Sequence, residues 1–183
     1  KEGVSLCVNC LSTCKKTIDT PHTYITSIYS FRDHHIKKII HSIKYFHRKD
    51  LVEPLTRSCY NTFAHLVVPA TVLVPIPMPK LRKYLRGYNQ AELFAEAFSK
   101  LSHLPTNSIL LARSKSPRRQ VTSSSRIMRL LNQKNSFSIK GSVQGLTILL
   151  IDDVTTTGAT IDEARRELLK HGAKEVRAFT IAH

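Results

Sequence analysis

The sequence predicts an α/β domain built on a mostly parallel, twisted sheet flanked by helices. Three observations carry this. Segments with strand patterning alternate with segments of helical periodicity along most of the chain, the pattern of a parallel sheet with crossover helices. Residues 146–151, LTILLI, are a continuous apolar run, as a parallel strand buried on both faces requires. That run leads through a Thr/Gly loop directly into an amphipathic helical stretch. A length of 183 residues suits one domain, or one domain with a small attachment.

The elements follow in order. Residues 1–24 are polar, hold three of the four Cys, and read as a small N-terminal leader without a core of its own. Residues 25–31 alternate Ile25, Ser27 and Tyr29 against Thr26, Ile28 and Ser30, which predicts a strand. Asp33 is placed to cap a helix reaching to about Lys49, with Ile36, Ile39, Ile40, Ile43 and then Phe46 or His47 along its apolar face. A second helix is expected over 51–66, and a short buried strand over 71–76. Pro75, Pro77 and Pro79 forbid helix and central strand, so a stiff loop is expected over 77–88. Residues 88–101 place Ala91, Phe94, Ala95 and Phe98 on one helical face. A strand over 108–112, a basic Ser-rich loop over 114–125 and a helix over 126–133 follow. After the apolar run comes a helix from about Gly158 to His171, with Ile161, Ala164, Leu168 and Leu169 inward and Gly172 at its left-handed cap. Residues 175–181 form the last strand.

Charge is distributed unevenly. Lys and Arg number 28 against 13 Asp and Glu, a net of +15. Residues 146–183 hold five basic and six acidic side chains, so residues 1–145 carry 23 against seven, a net of +16. Three stretches concentrate it: 32–49, 79–90 and 113–140. Such a distributed basic surface predicts a polyanionic partner, either nucleic acid or a phosphorylated metabolite. No apolar run approaches the length of a membrane span, the apolar content is too patterned for disorder, and four Cys do not make a disulfide scaffold.

The sharpest local feature is residues 149–160, LLIDDVTTTGAT. A buried strand leads into two carboxylates, and four Thr and a Gly then open a helix. Ligands of open α/β sheets sit outside the carboxyl ends of the strands, and a helix N-terminus offers backbone N–H groups to a phosphate. Asp152 and Asp153 would repel that phosphate, so they suit sugar hydroxyls or Mg²⁺.

This stretch resembles the phosphoribosyl pyrophosphate (PRPP) motif of type I phosphoribosyltransferases. The resemblance implies that Asp152 and Asp153 hold the ribose hydroxyls, that Thr155, Thr156, Thr157, Gly158, Ala159 and Thr160 cradle the 5′-phosphate, and that Mg²⁺ accompanies PRPP. Purine-salvage members have an acidic residue at the position of Thr156, so purine salvage is not expected. Val74–Pro75–Ile76–Pro77 followed by Arg86–Gly87–Tyr88–Asn89–Gln90 is similar to the ComF family of competence proteins. Residues 31–45, and Gln120, Arg129, Asn132 and Phe137, fit further boxes of that family. The likeness runs over about residues 25–183 and implies a type I phosphoribosyltransferase-like domain there, preceded by a leader over 1–24.

Further expectations follow from the resemblance. Arg86, with Lys80, Arg82 and Lys83, would meet pyrophosphate, and Arg118, Arg119 and Gln120 would belong to a lid closing over PRPP. Cys7-x₂-Cys10 is half of a zinc site; in the intact protein a missing Cys pair, Cys14 or His22 would complete it. Cys59 reads as a buried small apolar side chain. Lys37, Lys38, Lys44, Arg48, Arg126 and Arg129 are the cations expected to track a nucleic-acid backbone. ComF membership implies a cytoplasmic protein that handles incoming single-stranded DNA beside a competence helicase or other DNA-processing proteins. It leaves three roles open: an accessory factor that binds PRPP, an active enzyme, or a PRPP-sensing regulator. As an enzyme it would displace pyrophosphate from C1 with a nitrogen nucleophile through an oxocarbenium-like transition state.

Overall fold

The computed structural model describes residues 11–17, 22–113 and 136–183. In chain order the elements are β1 (Ile25–Tyr29), α1 (His34–Tyr45), α2 (Val52–Ala64), β2 (Thr71–Pro75), α3 (Lys80–Arg86), α4 (Gln90–Ser102), β3 (Leu111–Arg113), β4 (Phe137–Ile139), β5 (Thr147–Val154), α5 (Ala159–Lys170) and β6 (Glu175–Ala182). Four strands form one sheet in the order β1-β6-β5-β2, and every pairing in it is parallel. β3 and β4 form a separate antiparallel pair. No described helix is long and apolar enough to cross a membrane.

Within the expected run 146–151, residues 148–151 are buried on both faces, because β5 lies between β6 and β2 with a core packed on each side of the sheet. Alternate side chains of a strand point to opposite faces. Leu149 and Ile151 join a core with Ile36, Ile40 and Ile43 of α1, Leu55 and Phe63 of α2, and Phe94 and Phe98 of α4. Ile148 and Leu150 join the opposite core with Ile161, Ala164 and Leu168 of α5 and with Leu111 and Phe137. The first core is centred on aromatic rings: Phe63 stacks on Phe98 at 4.2 Å, and Phe179 meets both edge-on.

Local signals explain the helices. Asp33 caps α1, its Oδ1 accepting from the N–H groups of His35 (2.9 Å) and Ile36 (3.1 Å). Asn89 caps α4 by accepting from Ala91 N–H at 3.2 Å. Gly172, at φ +95°, follows the end of α5. Cys59 is buried, which pushes its thiol up to about 12.

Three expectations need correction. α1 ends at Tyr45 because the chain turns left-handed at His47 (φ +53°), and this leaves Phe46 66 % exposed rather than on the apolar face. The stiff loop over 77–88 contains a helix, α3; the prolines precede it, and Pro79 stands at its N-cap, where a missing N–H costs nothing. β5 runs to Val154, so Asp152 and Asp153 lie within a paired strand rather than after one.

Residues 11–17 pack onto the sheet domain. Leu11 and Cys14 are buried in the first core, Lys16 bridges to Tyr29, and Lys15 N–H donates to Asp33 Oδ2 at 3.0 Å.

Candidate functional site

Strand parity builds the site. Asp153 shares the face of Leu149 and Ile151, which α1 covers, whereas Asp152 shares the face of Ile148 and Leu150, toward β3 and α5. The two carboxylates therefore straddle the sheet, and the cations near them come from different elements. Lys44 of α1 places its ammonium against Asp153 Oδ2. Arg113, half-buried at the end of β3, feels the Asp152 charge, donates from Nε to the Pro77 carbonyl at 2.9 Å and lies over the Phe137 ring. Burial raises the Asp152 carboxyl well above the ordinary carboxylate range; the Asp153 charge adds to the rise and Lys44 opposes it. Burial lowers the Arg113 guanidinium, Asp152 opposes that fall, and Arg82 adds to it.

The Thr loop closes the end of β5. Thr155 is buried and its N–H donates to the Ala182 carbonyl at 3.0 Å. Thr156, Thr157, Ala159 and Thr160 are exposed. Gly158 is the left-handed N-cap of α5 (φ +79°), and a Cβ there would lie 2.8 Å from His22 and 3.2 Å from Ile25. Gly is therefore favoured by conformation, and a larger residue would have to push the His22 ring and the Ile25 side chain aside. His22 pairs with Asp162 at 3.1 Å, which ties it to the first turn of α5. Tyr24 stacks on His22 and donates to Asp162; burial and that hydrogen bond push the phenol up to about 12. Beside the loop, Thr156, Lys16, Arg32 and His183 line a cleft of about 570 Å³.

Each residue of the 86–90 box has a visible task. Arg86 reaches Gln90 Oε1 at 2.5 Å and lies over the Tyr45 ring at 5.1 Å. Gly87 closes α3 in the left-handed region (φ +81°). Tyr88 donates its hydroxyl to the Ile43 carbonyl. Asn89 caps α4 while Nδ2 donates to the Ile76 carbonyl at 2.9 Å. Gln90 is 3 % exposed, and its Nε2 has no hydrogen-bond partner among the described residues. With Oε1 committed to Arg86, that buried amide is a donor left for a ligand.

The remaining predicted residues scatter. Lys80 and Arg82 are exposed on α3, but Lys83 is drawn away to Glu92 at 2.8 Å. Lys37 and Lys38 are exposed on α1, Arg48 is paired with Asp50 at 2.6 Å, and Lys44 serves Asp153 instead of the outer surface. Cys7, Cys10, Arg118, Arg119, Gln120, Arg126 and Arg129 lie outside the described residues. Among the described residues no three His, Cys, Asp or Glu side chains gather as a metal site. The places of two residues in the site escaped the sequence reading. Arg113 was visible only as one cation in a basic stretch, and nothing in the sequence told Lys44 from its neighbours on α1.

The sequence profile of the phosphoribosyl transferase domain matches residues 90–183. The chain belongs to the phosphoribosyl transferase domain family. Within that family setting, the chain is 30% identical over 152 residues to the DNA utilization protein YhgH of Escherichia coli K12, across 80% of this chain and 66% of that protein. It is 34% identical over 157 residues to the competence protein ComFC of Bacillus subtilis 168, across 85% of this chain and 62% of that protein. The chain thus spans just under two thirds of the length of these relatives. Among solved structures, the glutamine PRPP amidotransferase of B. subtilis complexed with ADP and GMP aligns at a TM-score of 0.50 and 19% identity, over 76% of this chain and 30% of that one, a likeness of fold alone. The expected type I phosphoribosyltransferase fold and the ComF likeness are both borne out.

Proposed function

We propose that this chain binds PRPP, with Mg²⁺, at the carboxyl end of β5, and that it does so as a ComF-type protein serving the cytoplasmic handling of single-stranded DNA. One observation carries the PRPP reading: two adjacent carboxylates straddle the mouth of an inner parallel strand, directly before a Thr loop closed by a left-handed Gly. In this reading Asp152 and Asp153 accept hydrogen bonds from the ribose hydroxyls, and Thr155 to Thr160 receive the 5′-phosphate at the start of α5. Arg86, Arg82, Lys80, Arg113 and the free Gln90 amide face the pyrophosphate. The donor set fits Mg²⁺, a hard cation held through one or two carboxylates with water and phosphate oxygens completing its shell. Mg²⁺ supplies charge neutralisation at the pyrophosphate. Calorimetric titration with Mg²⁺–PRPP should give saturable binding that Asp152→Asn combined with Asp153→Asn abolishes; undiminished binding in the double variant overturns the assignment.

Nucleic acid as a second ligand draws on the relatives' names and on a surface feature. Tyr45, Phe46 and Tyr84 are 59%, 66% and 85% exposed, beside the cations of α1 and α3. Exposed aromatics next to cations are how single strands are held without sequence reading. Tyr45→Ala with Tyr84→Ala should weaken single-stranded DNA binding about tenfold, and wild-type affinity should fall steeply with salt. A flat salt response removes the DNA reading. An enzymatic role is tested separately: a nitrogen nucleophile would form a bond to C1 as the bond to pyrophosphate breaks. Pyrophosphate release on adding a purine or pyrimidine would establish it, and binding without release leaves the accessory role.

A further inference from the structure

Three consecutive residues at the end of α1 each reach a different part of the site. The Ile43 carbonyl accepts from Tyr88 of the 86–90 box, Lys44 meets Asp153, and Tyr45 carries the Arg86 guanidinium. This end of α1 lies outside the 90–183 stretch that the domain profile matches. The Lys44 side chain is 22% exposed and that of Asp153 only 11%, so the pair is largely withdrawn from water. Charges so placed attract one another more strongly than surface pairs and are little screened by salt. Asp153 Oδ2 is buried and takes no aligned hydrogen bond among the described residues, which leaves the Lys44 ammonium as its compensation.

We propose that Lys44 is a built-in counter-ion that occupies the cation position at Asp153 in the free protein, so that a divalent metal is excluded there until PRPP brings it. The inference rests on the reading that Asp153 faces the ligand. A metal approaching Asp153 alone must either displace the ammonium or sit beside a like charge. A metal arriving on pyrophosphate brings its own negative partners and does not depend on that oxygen. Lys44 is thus a positioning residue: it holds the Asp153 carboxylate in place and sets the order in which metal and PRPP enter.

The test uses Mn²⁺ alone as a probe, with free Mn²⁺ read by paramagnetic resonance on the full chain. Lys44→Met and Lys44→Gln should each bind Mn²⁺ about tenfold more tightly than wild type, the size of an ordinary coupling between two sites. Asp153→Asn added to either variant should remove the gain, and Lys44→Arg should behave as wild type. Mn²⁺ affinity within about twofold of wild type in whichever of Lys44→Met and Lys44→Gln keeps the wild-type circular dichroism overturns the proposal, as does a gain that survives Asp153→Asn. Titration of wild type with PRPP in excess Mg²⁺ separates the two readings. PRPP binding without a Mn²⁺ gain overturns the role of Lys44 only, and a Mn²⁺ gain without PRPP binding overturns the ligand and leaves the counter-ion standing.

Discussion

The two loops that flank the candidate site are built in opposite ways. The junction from β5 to α5 is fixed from beneath: Asp153, Thr155 and Gly158 are buried, Asp152 and Val154 are paired to β6, and the His22–Tyr24–Asp162 cluster pins the first turn of α5. The segment from Pro77 to Gly87 is held by its ends and by the exposed Lys83–Glu92 pair rather than by buried side chains. α3 buries no residue, and Leu81, Tyr84 and Leu85 are 70%, 85% and 74% exposed. The charges differ in the same sense, near-neutral in the first region and basic in the second. A rigid loop thus flanks the candidate site on one side and an adaptable cationic segment on the other. Rigidity in a binding loop comes from core residues beneath it, whereas cationic content alone supplies attraction without fixing a shape.

The sharpest break in this comparison is at the glycines. Gly158→Val should cost about 3 kcal/mol of stability in chemical denaturation, because the left-handed strain is joined by a clash with His22 and Ile25. Gly87→Ala on the other loop should cost only about 1 kcal/mol, since a Cβ there meets nothing within 4 Å and the strain stands alone. A similar cost at both positions would contradict the contrast.

Asp152 gives the next effect. Its folded-state carboxyl is raised above 3.8, so the native state holds a proton that the unfolded chain gives up sooner. Stability is then lost as pH rises from that ordinary value through the folded one. Asp152→Asn should therefore raise the melting temperature at neutral pH, and the gain should vanish below about pH 4. A gain that persists in acid, or a loss at neutral pH, would show that the carboxylate supports the fold rather than strains it.

The smallest effect belongs to the exposed helix. Leu81→Ser with Leu85→Ser should change folding stability by no more than about 0.5 kcal/mol, as surface substitutions do, whereas Ile40→Ala on the buried face of α1 should cost about 2–5 kcal/mol. A large loss in the α3 variant would mean that those leucines are covered in the folded protein.

Much of this was legible in the sequence, and the failures have physical causes. The isoleucine spacing of α1, the apolar run of β5 and the capping residues Asp33 and Asn89 are local signals, and local structure follows them. α3 was missed because three prolines read as a barrier, although proline is well tolerated at a helix start. The length of β5 was underestimated because two charged residues ended the apolar run while the ladder to β6 continued. In the site, the acid pair and the Gly-closed Thr loop are contiguous and were visible. Lys44, Arg113 and the free Gln90 amide are brought in from three separate elements, and the sheet's alternation decides that Lys44 meets Asp153.

A crystal structure with Mg²⁺ and PRPP tests the central claim most directly. The ribose hydroxyls should lie against Asp152 and Asp153, with the 5′-phosphate over residues 155–160. Density for PRPP elsewhere, or none at saturating concentration, would contradict the account.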